Sequence, residues 1–330
     1  AAGANAFAGY FVALAGGPPA PVVMLVYLGA LTLVNLAGMR QSSRLNVLFT
    51  LVELSGIVIV IAVSVRYWGS ADYLRFPPAQ EGGAGPLALV LQGGALAFFA
   101  FIGFEDLLNV SEEAKNPRRD IPIALLVAVA VATLLYMGVA LSAVSVLAPA
   151  RLAASPQPLV DVVLTAAPGF PKGVFSAIAL FAIANTALVN HLMGSRLLFG
   201  MGRQGLVPGG LGRVHARRGT PAVAILVVSA LVVVLMFSGG VRELASATSS
   251  LLLFVFIIVN GAQLVLRRKA GEPRGLLELP AAVPAAGILV CAAMLVHTDA
   301  AALKIAFLIL VGITVLYVLV RPRAPAGEGA

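Results

Sequence analysis

Hydrophobic residues in this chain come in long runs, neither alternating nor confined to one helical stripe. Apolar stretches of about 20 residues, the length a helix needs to cross a hydrocarbon core ~30 Å thick, recur near 20–38, 46–67, 88–112, 121–149, 173–195, 220–238, 244–266, 279–297 and 300–320. Short segments carrying Pro, Gly and charge separate them. Residues 1–16 read as the end of one further span. A barrel would be written as short alternating segments, whereas these runs are continuous and rich in Leu, Ala, Val and Gly. The pattern predicts an all-α integral membrane protein of about nine full transmembrane helices plus an N-terminal remnant, organised as one domain over 1–330.

Composition agrees, since 60% hydrophobic and 11% charged residues, with a mean hydropathy of +1.00, lie far from any soluble domain. Charge adds an orientation. In a soluble protein the net +8 would suggest nucleic acid, but the basic residues here are distributed by loop. One alternating set of loops contains Arg40 and Arg44; Lys115, Arg118 and Arg119; Arg196, Arg203, Arg213, Arg217 and Arg218; Arg267, Arg268, Lys269 and Arg274; and Arg321 with Arg323. The opposite set holds only Arg66, Arg75, Arg151, Lys172, Arg242 and Lys304. By the positive-inside rule the first set is cytoplasmic, as is the tail 321–330. A missed or invented span would exchange the two sets downstream, so the asymmetry also supports the count of nine. The basic run from Arg213 to Arg218 is a topology signal that suits anionic lipid headgroups as well. The chain opens Ala-Ala-Gly without an initiator Met or charged leader, and we expect the N-terminal part of a longer protein to be missing.

Candidate chemistry lies where polar residues interrupt the runs. Glu53 stands nine residues after Arg44 and thirteen before Arg66, about 13 Å and 20 Å along a helix from those charges. A charge at a span centre costs roughly 2.5–3.5 kcal/mol on insertion scales, and neither surface is within reach. The carboxyl must face a cavity, pair with a cation or hold a proton. It is either an ion- or proton-coupling site or a neutral group making one interhelical hydrogen bond.

The run 88–112 is the second anomaly: Gly93-Gly94, then Phe98-Phe-Ala-Phe-Ile-Gly-Phe104, then Glu105-Asp106. Gly103 permits the backbone to leave helical geometry, and carboxylates just beyond suit the first turn of a new half-helix. Broken helices are how many secondary transporters present backbone groups to a substrate. The alternative is that Gly103 is a packing notch and Glu105 a capping residue. Asn185 and Thr186, and Thr248, Ser249 and Ser250, are further polar positions within spans; such residues often serve helix packing. His191, beside Asn190, reads as structural. The single cysteine, Cys291, and three dispersed histidines lack metal-ligand spacing, so neither a metal centre nor another cofactor is expected.

Phe98-Phe-Ala-Phe-Ile-Gly-Phe-Glu105 with Glu112-Glu-Ala-Lys-Asn-Pro-Arg-Arg-Asp-Ile-Pro122 resembles the sixth helix and following loop of amino-acid permeases of the amino acid/polyamine/organocation superfamily. Ser43-Arg-Leu-Asn46 is similar to the start of that family's fifth helix. Asn185-Thr-Ala, Ser195-Arg-Leu-Leu-Phe-Gly-Met-Gly-Arg203 and Gln-Gly-Leu-Val-Pro208 resemble its eighth helix and the loop after it, and Arg218-Gly-Thr-Pro221 the opening of its ninth. The resemblance covers the chain from a third helix, 1–16, through the fourth to twelfth, 20–320. It implies a LeuT-like fold of two inverted five-helix repeats, incomplete here because the first two helices and most of the third are absent.

The resemblance further implies that Phe99 lies near an aromatic gate and that backbone carbonyls around Phe98, Phe101 and Ile102, beside Gly103, meet a substrate ammonium. Asn185, Thr248 and Ser249 lie on helices bordering the family's central cavity. Glu105 matches a position that is acidic in several members and proton-sensitive. Glu53 falls where some relatives place a lysine that stands in for a sodium ion; a carboxylate cannot do so, and therefore binds H⁺ or Na⁺ or serves another purpose. The expected function is secondary transport of an amino acid or related amine by alternating access, proton-coupled or exchange-type, in a bacterial inner membrane. The alternatives are an ion channel or passive pore, a membrane-embedded enzyme, for which clustered catalytic residues are missing, or a fragment inactive without its first helix.

Overall fold

A computed structural model describes residues 1–38, 43–76, 85–104, 114–215, 218–269 and 279–320. Glu105, the expected coupling carboxylate, and the tail 321–330 lie outside them. The described residues form helices and turns, with no strand among them. They are α1 (Ala2–Ala15), α2 (Ala20–Ala37), α3 (Ser43–Ser64), α4 (Pro86–Ala97), α5 (Pro117–Val146), α6 (Pro149–Ala154), α7 (Pro158–Ala166), α8 (Lys172–Arg203), α9 (Ala222–Met236), α10 (Val241–Leu266), α11 (Ala282–Val296) and α12 (Ala300–Val320).

Each expected apolar run contributes a helix among the described residues, but the helices differ in reach. Five helices are long and apolar enough to cross a bilayer: Ala20–Ala37, Val47–Tyr67, Pro117–Val146, Lys172–Arg203 and Val241–Leu266. Ala282–Val296 and Ala300–Val315 pass the same test only as a pair, bent by 112° at their junction. Ala2–Ala15, Pro86–Phe101 and Ala222–Met236 are shorter. The described helices therefore support five or six spans by length and composition, against the nine that the hydrophobic runs predict. Large apolar side chains stand exposed on their outer faces, among them Val26, Leu33, Leu134 and Val234, each at 67–70%. Such surfaces suit hydrocarbon and not water.

The chain divides into two compact units. One comprises Ala1–Tyr73, Val139–Val241 and Ile309–Ala330, the other Leu74–Gly138 and Arg242–Leu308.

In the first unit α8 is the common neighbour of α1, α2, α3, α7 and α9. Small residues let it be surrounded: Gly3 of α1 faces Ala187 so closely that a Cβ would lie 3.5 Å from that methyl, and a Cβ on Gly56 of α3 would approach Ile178 Cγ2 to 2.9 Å. One core cluster joins Ala4, Ala8, Val23, Met24, Tyr27, Leu28 and Met236, with Phe7 stacked on Tyr27 at 4.0 Å. A second joins Val60, Leu147 and Phe175 to the short helix α7, whose Val160, Val162, Val163 and Ala166 are wholly buried. At 32 residues α8 is about 48 Å long, more than a bilayer core needs, so it carries Arg196 and Arg203 towards one surface.

In the second unit α4 ends early. Phe98–Phe101 forms a turn of 3-10 helix, Ile102 is extended at ψ 133°, and Gly103 has φ +116°. That φ is open to glycine and strained for residues bearing a Cβ. A Cβ on Gly103 would meet no neighbour within 4 Å among the described residues. Of the two readings of this glycine, the backbone break is the one its conformation matches.

Candidate functional site

In the second unit the interrupted helix is held from both sides by aromatic rings. Phe98 meets Phe256 of α10 edge-on at 5.9 Å, Phe104 stacks on the same ring at 5.8 Å, and Phe101 packs edge-on against Tyr136 of α5 at 5.2 Å. The Tyr136 hydroxyl donates to the Ala100 carbonyl at 2.8 Å, and Ile102 N–H donates to the Phe99 carbonyl at 3.3 Å. Neither acceptor is among the carbonyls of Phe98, Phe101 and Ile102 that the family resemblance assigns to an ammonium. A turn of this kind ends a helix dipole within the protein, so partial negative charge collects there without any carboxylate.

Thr248 and Ser249 of α10 differ from each other. Thr248 is exposed and its hydroxyl donates back to the Leu244 carbonyl at 2.8 Å. Ser249 is fully buried, and its hydroxyl has no hydrogen-bond partner among the described residues. Ser250 is satisfied by the Ser246 carbonyl at 2.7 Å, which leaves Ser249 as the polar group of this helix still to be matched.

In the first unit the structure brings together two residues picked out separately from sequence. Asn185 Nδ2 of α8 donates to Glu53 Oε1 of α3 at 2.7 Å. Glu53 is half-buried and has no ion-pair partner among the described residues. The other amide atom, Asn185 Oδ1, is enclosed and unpartnered among those residues. Phe49 packs edge-on to Phe181 at 5.0 Å, and Gly56 lets α3 and α8 close together near Ile178. Of the three situations open to Glu53, pairing with a cation is not the one observed. An amide suits a carboxyl whose charge changes, because its N–H₂ serves the carboxylate and its oxygen can accept from the protonated acid. Thr186, the next residue, is exposed.

Sequence reasoning missed two polar groupings. Thr32 and Asn35 of α2 join His191 of α8 and Ser229 of α9 in a buried cluster. The signal was present: Thr32 and Asn35 stand three apart in an otherwise apolar span, on one helix face. The second grouping, in the other unit, joins Gln92 of α4, Arg242 of α10 and Asp299 ahead of α12. Asp299 accepts from Gln92 Nε2 and forms an ion pair with Arg242 at 3.2 Å. These residues border a cavity of about 170 Å³ that Leu89, Leu96, Ser246 and Thr298 also line.

Residues 1–322 match the family model described as amino acid permease. The chain belongs to the amino acid permease family. This permease-family chain is 30% identical over 275 residues to the branched-chain amino acid permease BcaP of Bacillus subtilis, a match covering 83% of the chain and 57% of the relative. It is 28% identical over 262 residues to the methylthioribose transporter of Bacillus subtilis, covering 79% and 54%. It is 32% identical over 190 residues to the chloroplastic cationic amino acid transporter 9 of Arabidopsis thaliana, covering 58% and 32%. The chain spans about half the length of the curated relatives it matches most extensively. Its relatives are transporters and not enzymes, and with its apolar helices it is an integral membrane protein.

Proposed function

We propose that the protein of which this chain forms part is a secondary transporter that moves an amino acid or related amine by alternating access, with Glu53 taking up and releasing a coupling proton. In this reading the fold is LeuT-like, the turn from Phe98 to Gly103 presents backbone carbonyls to the substrate ammonium, and Thr248 and Ser249 lie along its route. The C-terminus is cytoplasmic, as the distribution of Lys and Arg predicts, and the membrane is a bacterial inner membrane. Family membership and the named activities of the relatives support the substrate class, and the broken helix supports the mode of recognition. The observation that carries the coupling role is a carboxyl within a span whose partner is an amide and not a cation. A structural carboxyl needs only one lasting bond; an amide can serve both charge states.

The test is uptake of radiolabelled amino acids and polyamines into proteoliposomes by the full-length gene product, with and without an imposed pH gradient, beside Glu53→Gln. Saturable uptake should rise with the gradient in the parent and lose that dependence in the variant, with exchange of preloaded substrate retained. Gradient-driven uptake that is equal in both would remove Glu53 from coupling and turn attention to Glu105. A response to a sodium gradient alone would replace the proton with Na⁺.

A further inference from the structure

The helix α8 carries polar groups on two faces. Asn185 meets Glu53 of α3. Six residues later, about 9 Å along the axis and roughly 240° around it, His191 meets α2 and α9. The ring is 5% exposed and both of its nitrogens are engaged. Asn35 Nδ2 donates to Nδ1, which places the ring hydrogen on Nε2, and Nε2 donates to Ser229 Oγ at 2.9 Å. Ser229 Oγ in turn meets Thr32 Oγ1 at 2.8 Å and donates to the Ile225 carbonyl at 2.8 Å. Asn35, Thr32 and Ser229 are all at most 9% exposed.

We propose that His191 is a positioning residue for Glu53: its bonds to Asn35 and Ser229 fix the rotation of α8, and thereby the aim of Asn185 at the carboxyl. Elsewhere α8 meets its neighbours through a longer hydrogen bond, from the Tyr27 hydroxyl to the Ile183 carbonyl at 3.4 Å, and through small or smooth contacts, such as Gly3 against Ala187 and Gly194 against Val228. Dispersion contacts of this kind are non-directional and resist turning weakly. Side-chain atoms lie roughly 5–6 Å from a helix axis, so a turn of about 30° moves Asn185 Nδ2 by about 3 Å, more than a hydrogen bond tolerates. Two directional anchors on different faces prevent it. Asn35 and Ser229 belong to different helices, so His191 holds α8 against both together. The meaning of this for transport rests on the coupling role proposed for Glu53; the geometry does not.

The experiment reads Glu53 without requiring transport. The full-length product in nanodiscs is treated with a hydrophobic carbodiimide, and modification of Glu53 is followed by peptide mass spectrometry in the parent, Asn185→Ala, His191→Phe and His191→Gln. The Phe variant keeps a ring and loses both nitrogens; the Gln variant restores a donor and an acceptor. His191→Phe should shift the labelling rate in the same direction as Asn185→Ala, by about fivefold, the factor one hydrogen bond is worth. His191→Gln should remain within about twofold of the parent. A His191→Phe protein that melts earlier yet labels at the parental rate would overturn the proposal and leave the histidine a structural bond. So would a parental rate in Asn185→Ala. If His191→Phe does not fold, Asn35→Leu and Ser229→Ala each remove one anchor and are read on the same scale. Uptake by the same preparations separates the two claims: a parent that labels as expected but takes up no amine or amino acid sinks the permease reading alone.

Discussion

Gly202, in the last turn of α8, offers a test in which the sign of the effect decides. A Cβ built there would lie 2.5 Å from Gly212 N and 2.9 Å from the Leu211 carbonyl carbon, while a Cβ on Gly212 would lie 2.8 Å from the Gly202 carbonyl carbon. Both partners are main chain, so no side chain can rotate away. Ordinary contact begins near 3.4 Å, and the short turn Gly209–Gly212 would have to retreat by roughly 1 Å, at the upper end of the 1–3 kcal/mol typical of overpacking. Against this stands helix propensity, which favours Ala over Gly by about 1 kcal/mol. Gly202→Ala should therefore destabilise by about 2 kcal/mol, lowering the apparent Tm in detergent by roughly 2–3 °C. Gly200 provides the control: it lies in the same helix two residues earlier, and its Cβ would meet nothing within 4 Å. Gly200→Ala should raise the Tm slightly or leave it unchanged. Thermal unfolding of the full-length product, followed by fluorescence-detected size exclusion, measures both. Equal stabilisation by the two substitutions would refute the close approach of the helix end to the turn.

Two other substitutions probe the second unit. Tyr136→Phe retains the edge contact with Phe101 and removes the bond to the Ala100 carbonyl; it should cost about 1 kcal/mol and speed amide exchange across 98–104, and unaltered exchange there would show that the hydroxyl does not hold the turn. Arg242→Ala should change stability by less than about 0.5 kcal/mol, because its ion pair with Asp299 is exposed, whereas Asp299→Ala also removes the acceptor of Gln92 and should cost about 1 kcal/mol; equal effects on the melting temperature would contradict this ranking.

The existence and order of the helices were legible because hydrocarbon demands long apolar runs, and these leave an unmistakable mark in composition. Their ends were less so. The run 88–112 reads as one span with a break at Gly103, and the structure ends the regular helix earlier, at Ala97, where the backbone tightens into 3-10 helix, a change that no hydropathy pattern encodes. The final two runs look like independent spans in sequence, yet the helices they form are shorter or sharply bent at the junction. Glu53 and Asn185 were each visible as polar residues in apolar surroundings, but their pairing joins positions 132 apart and depends on helix packing. His191 reads as structural in the sequence because a lone histidine carries little signal. Its partners, Asn35 and Ser229, come from two other helices, and only the fold brings them together.

The turn at Phe98–Phe101 has a consequence for how such a protein can diversify. The carbonyl dipoles that end the half-helix belong to the main chain, so a substitution from Phe98 to Ile102 that keeps the ring packing changes the walls around them and not the acceptors themselves. In the transport role proposed above, a lineage could exchange one aromatic wall for another and explore new cargo while keeping the same main-chain acceptors for an ammonium. Inheritance protects the fixed part of the site by writing it in atoms the codons cannot change.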